Sequence, residues 1–157
     1  MKEIEYKFLV DKTKWEELEK PKSQEITQGF LHSSVEKTVR IRTKGDKAFL
    51  TIKGKTIGIT RTEFEYEIPL VDAKHMLEQM IYKKIKKHRF EIWFENHKWE
   101  VDVFGGELKG LILAELEVKS EEENFTIPEW ATTNVSKDPR FYNAVLIEKG
   151  IKGLVLD

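Results

Sequence analysis

Most of this sequence alternates polar and apolar residues with period two, in stretches near residues 2–9, 25–32, 36–44, 47–53, 59–68, 85–95, 98–104 and 111–119. Successive side chains of a strand point to opposite faces, so each stretch reads as a β-strand with one apolar and one polar face. Short turns separate them, at Lys44-Gly45-Asp46, Gly54 to Gly58, Glu95-Asn96-His97 and Gly105-Gly106. Connections that short pair strands antiparallel, because parallel pairs need long crossovers. A sheet of eight strands tends to curl or close. The pattern therefore predicts an α+β fold in a single domain over residues 1–157: an eight-stranded antiparallel β-barrel with about three flanking helices. The first helix follows Asp11 or Thr13, near 14–19. The second takes Asp72 as N-cap, with Ala73, Met76, Leu77, Met80 and Ile81 in one apolar stripe. The third starts at Asp138-Pro139 and runs toward Gly150.

Closure leaves two arrangements: the apolar faces fill the barrel, or the polar faces line it. The polar faces carry Glu3, Glu5 and Lys7 on strand one, Arg40 and Arg42 on strand three, and Lys53 on strand four. Strand five aligns Arg61, Glu63, Glu65 and Glu67; strand six, Lys87, Arg89 and Glu91; strand seven, Glu100 and Asp102; strand eight, Glu115 and Glu117. Acidic residues gather on strands one, five, seven and eight and basic ones on three, four and six, whereas a merely solubilising face would mix signs within each strand. Several of the cations are Arg, which suits fixed bidentate contacts. Both features favour a tunnel lined by charge, with the apolar exterior covered by helices.

The charges nearly cancel: Lys+Arg 27 against Asp+Glu 28, a net charge of −1, although charged residues make up 35 % of the chain. That balance excludes a nucleic-acid binder driven by net positive field. No apolar run exceeds four residues and there is no cysteine. The reading is thus a protein without signal peptide or membrane span, placed in the cytoplasm. A lumen with both signs suits a polyphosphate: Arg and Lys neutralise the anion, and carboxylates that would otherwise repel it hold divalent cations. Gly54-Lys55-Thr56 echoes the end of a phosphate-binding loop, but the glycine required earlier is Phe49, so it reads as a hairpin turn.

Glu3-Ile4-Glu5-Tyr6-Lys7 resembles the ExExK signature of the CYTH superfamily, the triphosphate tunnel metalloenzymes. The resemblance continues in order through Val39-Arg40-Ile41-Arg42, Leu50-Thr51-Ile52-Lys53-Gly54, Arg61-Thr62-Glu63-Phe64-Glu65, Lys87-His88-Arg89, Asp102, Ala114-Glu115-Leu116-Glu117-Val118 and Asp138-Pro139-Arg140-Phe141-Tyr142-Asn143. It implies an eight-stranded tunnel barrel that binds a triphosphate with Mg²⁺ or Mn²⁺. It further implies that Arg40, Arg42, Lys53, Lys87 and Arg89 hold phosphates and that Lys7 sits near the scissile end. Glu3, Glu5, Glu63, Glu65, Asp102, Glu115 and Glu117 would hold one or two ions and orient water, with Lys7, Glu5 and Glu65 as the catalytic set. Arg61 and Glu67, at the strand's ends, are assigned to the rim; Glu91 and Glu100 pair with basic neighbours. Where relatives often read Gln-Gly-Tyr-Leu, this chain has Gln28-Gly29-Phe30-Leu31, and Phe30 offers no hydroxyl.

The implied activity is hydrolysis of a triphosphate, inorganic tripolyphosphate before nucleoside triphosphates. The alternatives are a class IV adenylate cyclase and a non-catalytic polyphosphate or nucleotide sensor. The implied partner is a small phosphate-rich substrate, without nucleic acid or membrane, bound by a monomer or homodimer.

Overall fold

A computed structural model describes residues 1–157. Its strands are β1 (Lys2–Val10), β2 (Gln24–Ser33), β3 (Lys37–Lys44), β4 (Lys47–Gly54), β5 (Thr60–Ile68), β6 (Ile85–Phe94), β7 (His97–Phe104), β8 (Ile112–Val118) and β9 (Ala131–Asn134). The helices are α1 (Lys12–Glu17), α2 (Leu70–Gln79) and α3 (Asn143–Lys149). Eight strands run β5-β4-β3-β2-β6-β7-β8-β1, and β1 returns to β5, so the antiparallel sheet closes as the alternation predicts. β9 has no period-two pattern. It adds to the edge of β1 that β5 leaves uncovered, at Phe8–Asn134 and Val10–Ala131.

Two helix starts differ from the sequence reading. α2 begins at Leu70 behind Pro69, and Asp72 lies in its first turn, where a carboxylate favours the helix dipole without capping it. The third helix is split. Asp138 accepts a hydrogen bond from Arg140 N and caps a single 3-10 turn, Pro139–Phe141. Tyr142 is extended, and α3 starts only after it. The turn thereby delivers Tyr142 and Asn143 to the barrel. Gly150 ends α3 at φ +68°, a conformation that favours glycine.

The apolar residues lie mainly outside the barrel. Phe8, Trp99, Val101, Ala114 and Leu116 on the outer faces of β1, β7 and β8 pack with Trp15 of α1 and Trp130 ahead of β9. Ile41 and Ala48 pack under Ala73 and Leu77 of α2, with Ile81 beyond it. Gly29 makes this last contact possible, because a Cβ there would collide with Ile81 Cγ2 and approach the Lys83 carbonyl at 3.2 Å. A third cluster, Leu9, Ile85, Phe104, Leu113, Phe141 and Leu146, closes one end of the lumen beneath α3. The rest of the interior is left to charge.

Candidate active site

The strand register sets charges side by side around the lumen. Across β1 and β8, Lys7 faces Glu115 and Glu5 faces Glu117. Across β6 and β7, Arg89 faces Asp102. Across β3, β4 and β5, Arg40, Thr51 and Glu65 form one rung, and Lys53 faces Glu63. Lys7, Arg42, Lys53, Lys87, Arg89, Glu3, Asp102 and Glu115 are all buried. A cavity of about 550 Å³ opens beside α3 and is lined by eight cationic side chains (Lys7, Arg40, Lys53, Lys55, Arg61, Lys87, Arg89 and Lys149) against three acidic ones (Glu5, Glu115 and Glu148).

Without substrate, the cations lean on carboxylates. Asp102 is the most enclosed: Arg89 donates to both of its oxygens at 2.7 and 2.8 Å, and Lys87 Nζ lies 2.7 Å from Oδ2. Burial alone would raise the Asp102 carboxyl, but Arg89 and Lys87 hold it below its usual range. Burial pulls Lys87 down to about 8 despite that partner. Asn143 Oδ1 accepts from Lys87 Nζ at 3.2 Å and from Gln28 Nε2 at 3.0 Å, joining α3 to the tunnel wall. Arg40 and Arg42 share Glu65 at 3.5 and 3.3 Å, and Thr51 donates to the same oxygen at 2.8 Å. The Nε groups of both arginines are buried with no hydrogen-bond partner. Lys53 reaches Glu3 at 2.9 Å and Glu63 at 3.2 Å. Lys7 Nζ donates to the Phe141 carbonyl at 3.2 Å and lies 3.7 Å from Glu115.

The acidic side is less well matched. Glu5 and Glu117 do not join these ion pairs. Burial, with Glu115 and Glu3 nearby, pushes Glu5 up to about 8. Burial, with Glu3 and Glu100, raises Glu117 as well. Glu63 is raised to about 7 by burial and a hydrogen bond with Glu3. By contrast, the burial that would raise Glu3 and Glu115 is outweighed by Lys53 and Arg61 for the first and by Lys7 and Arg89 for the second, and both fall well below the carboxylate range.

The expected residues thus come together, with differences in detail. Arg61 belongs to the lumen rather than the rim: it faces Glu3 across β1 and β5, donates to it at 2.9 Å and lines the cavity. Glu67 stays at the rim beside Lys47. Glu100 pairs with Arg89 at 2.9 Å, and Glu91 lies 3.8 Å from Lys44 and Lys98. Phe30 lines the cavity. His88 is exposed on the outer wall. Strand parity could not reveal Asn143 or Ser136, whose hydroxyl accepts from Lys7 N at 2.8 Å, since both lie outside the alternating segments.

No three carboxylates stand together as a ready-made cation cage. Mg²⁺ commonly takes one or two carboxylates and completes its shell with water and substrate phosphates. Glu5 and Glu117, with Glu115 beside them, offer hard oxygens whose mutual repulsion a divalent cation would relieve. The donor set therefore fits such an ion.

The CYTH domain family matches residues 1–142 of this chain. An inorganic triphosphatase of Acetivibrio thermocellus is 41% identical over 152 residues, covering 96% of this chain and 96% of that one. An inorganic triphosphatase of Nitrosomonas europaea is 31% identical over 150 residues, covering 93% and 97%. A crystal structure of an inorganic triphosphatase superposes with a TM-score of 0.63 at 28% identity, covering 92% of this chain and 93% of that one. No helix is long and apolar enough to cross a membrane.

Proposed function

The chain belongs to the CYTH domain family, and from that premise we propose that it hydrolyses triphosphates, inorganic tripolyphosphate first and nucleoside triphosphates second, with Mg²⁺ or Mn²⁺. The observation that carries this reading is the 550 Å³ cavity with eight cations against three carboxylates, set beside Glu5 and Glu117, which face each other across β1 and β8 and join none of the ion pairs. Two nearly full-length relatives named inorganic triphosphatase support it.

Arg40, Arg42, Lys53, Lys87 and Arg89 bind phosphate oxygens through charge-assisted hydrogen bonds. The buried, unpartnered Nε groups of Arg40 and Arg42 are donors awaiting an acceptor. Asp102 and Glu65 aim these cations: the first holds Lys87 and Arg89, the second Arg40 and Arg42. Lys7, fixed by the Phe141 carbonyl and Ser136, presents its ammonium to the phosphoryl group that is cleaved. Glu5 and Glu117 would hold the cation, with Glu115, Glu3 and Glu63 around them. A bound divalent cation supplies Lewis-acid neutralisation of phosphoryl charge. Cytoplasmic placement follows in this reading from a small anionic substrate and the lack of any apolar run longer than four residues.

The test is phosphate release from tripolyphosphate, ATP and pyrophosphate with each metal, with and without EDTA. Rapid metal-dependent release from tripolyphosphate is expected. Cyclic AMP and pyrophosphate from ATP without free phosphate, or activity that survives EDTA, would overturn the assignment.

A further inference from the structure

The barrel wall has a seam. β1 meets β5 through three pairs only, Lys2–Thr62, Glu3–Arg61 and Ile4–Thr60. β9 takes over the same edge at Phe8. Between them, on this edge, residues 5–7 pair with no strand, while their other edge is bonded to β8. Glu5 N donates to the Ile59 carbonyl at 3.1 Å, and Lys7 N donates to Ser136 Oγ. A turn carbonyl, the Ser136 hydroxyl and the Val135 amide, which donates to the Lys7 carbonyl at 2.8 Å, thus close the sheet where a strand would otherwise stand.

Three spaces lie in series across this seam. The main cavity shares Glu5, Lys7, Thr56, Arg61 and Tyr142 with a neck of about 30 Å³. The neck shares Ile59 and Ser136 with an outer hollow of about 450 Å³. The neck has room for about two water molecules, and a buried water needs two to four polar partners. Glu5, Lys7, Thr56 and Tyr142 supply an acceptor, an ammonium donor and two hydroxyls that can do either.

We propose that the seam is a water port serving the triphosphate cleavage described above, and that Thr56 and Tyr142 seat the attacking water at its inner end. The proposal rests on that reading of the function. The neck gives water a route to the phosphate that is separate from the mouth beside α3. In the step itself, the water oxygen bonds to the terminal phosphorus and the bridging P–O bond breaks. The electron pair leaves on the departing pyrophosphate, and a water proton passes to solvent along the seam.

Steady-state kinetics on tripolyphosphate test this. Ile59→Trp fills the neck from outside and should lower kcat at least tenfold with KM within twofold, while Ile59→Val keeps the wild-type rate. Tyr142→Phe and Thr56→Val, which remove only hydroxyls, should each lower kcat about fivefold at constant KM, and Thr56→Ser should recover it. Unchanged kcat in an Ile59→Trp protein with wild-type melting temperature overturns the port, as does a KM that rises in step with any kcat loss. If Ile59→Trp does not fold, the Tyr142→Phe/Thr56→Val double variant decides by the same split. Wild-type protein that releases no phosphate from tripolyphosphate would instead remove the functional reading, and the port with it.

Discussion

Asp102→Asn removes one charge from a site with no solvent access. Asp102 is fully buried, with Lys87 Nζ and two Arg89 nitrogens 2.7–2.8 Å from its oxygens. At an effective dielectric of about 20, opposite charges centred about 4 Å apart attract by roughly 4 kcal/mol. The variant is also spared the cost of burying a carboxylate, so the two attractions are not lost in full. What remains is two buried cations whose nearest acids are Glu100, 2.9 Å from Arg89, and Glu115, 3.6 Å from it. Breaking a buried pair from one side costs about 3–5 kcal/mol. For a chain of this length that corresponds to a melting-temperature drop of about 10–15 °C. Lys87 already sits near 8 with its partner present, so the variant sheds that proton more readily and limits the loss at high pH. The drop measured by circular dichroism should therefore be larger at pH 6 than at pH 9. A fall of less than about 3 °C at pH 6 would show that water reaches this site and would refute the reasoning.

Three further outcomes follow from the same geometry. Glu5 is raised to about 8 and Glu63 to about 7 from the usual 4.5, so the folded protein holds protons that the unfolded chain releases across that range. Metal-free protein should accordingly melt lower at pH 8 than at pH 5.5, and Mg²⁺ or Mn²⁺ should recover part of the difference at pH 8; a melting point level across that range contradicts the shifts. Gly29→Ala should cost about 1–3 kcal/mol in urea unfolding, since the new methyl meets Ile81, and a wild-type midpoint would count against the packing. In phosphate-release kinetics, Arg40→Ala should chiefly raise KM, whereas Glu115→Gln should chiefly lower kcat; the reverse pattern would exchange their roles.

The barrel is readable in the sequence because its two faces differ so sharply. Charged residues inside and apolar residues outside make the period-two signal strong along seven of the eight strands; β2 turns Gln28 and Phe30 inward instead. β9 is invisible to that signal: Ala131-Thr132-Thr133-Asn134 has no alternation, and its pairing follows from the bare edge of β1. Its place at the end of β5 reads Arg61 as a rim residue, but closure sets that end against Glu3. Parity tells which face a residue shares, not which residue of another strand it meets. Ser136 and Asn143 reach the site from segments more than fifty residues from the residues they bond, and no local pattern carries such contacts.

Of the barrel's strands, β1 is made first and is the last that can be completed. Lys2 pairs with Thr62, Ile4 with Val118 and Phe8 with Asn134, separations of 60, 114 and 126 residues. Only the Lys2–Ile4 end can pair once β5 is made, and the segment bearing Glu5 and Lys7 waits for β8. Such distant pairings slow folding and leave an unpaired edge exposed while they form. The same strand that carries the acidic half of the tunnel therefore also times its assembly.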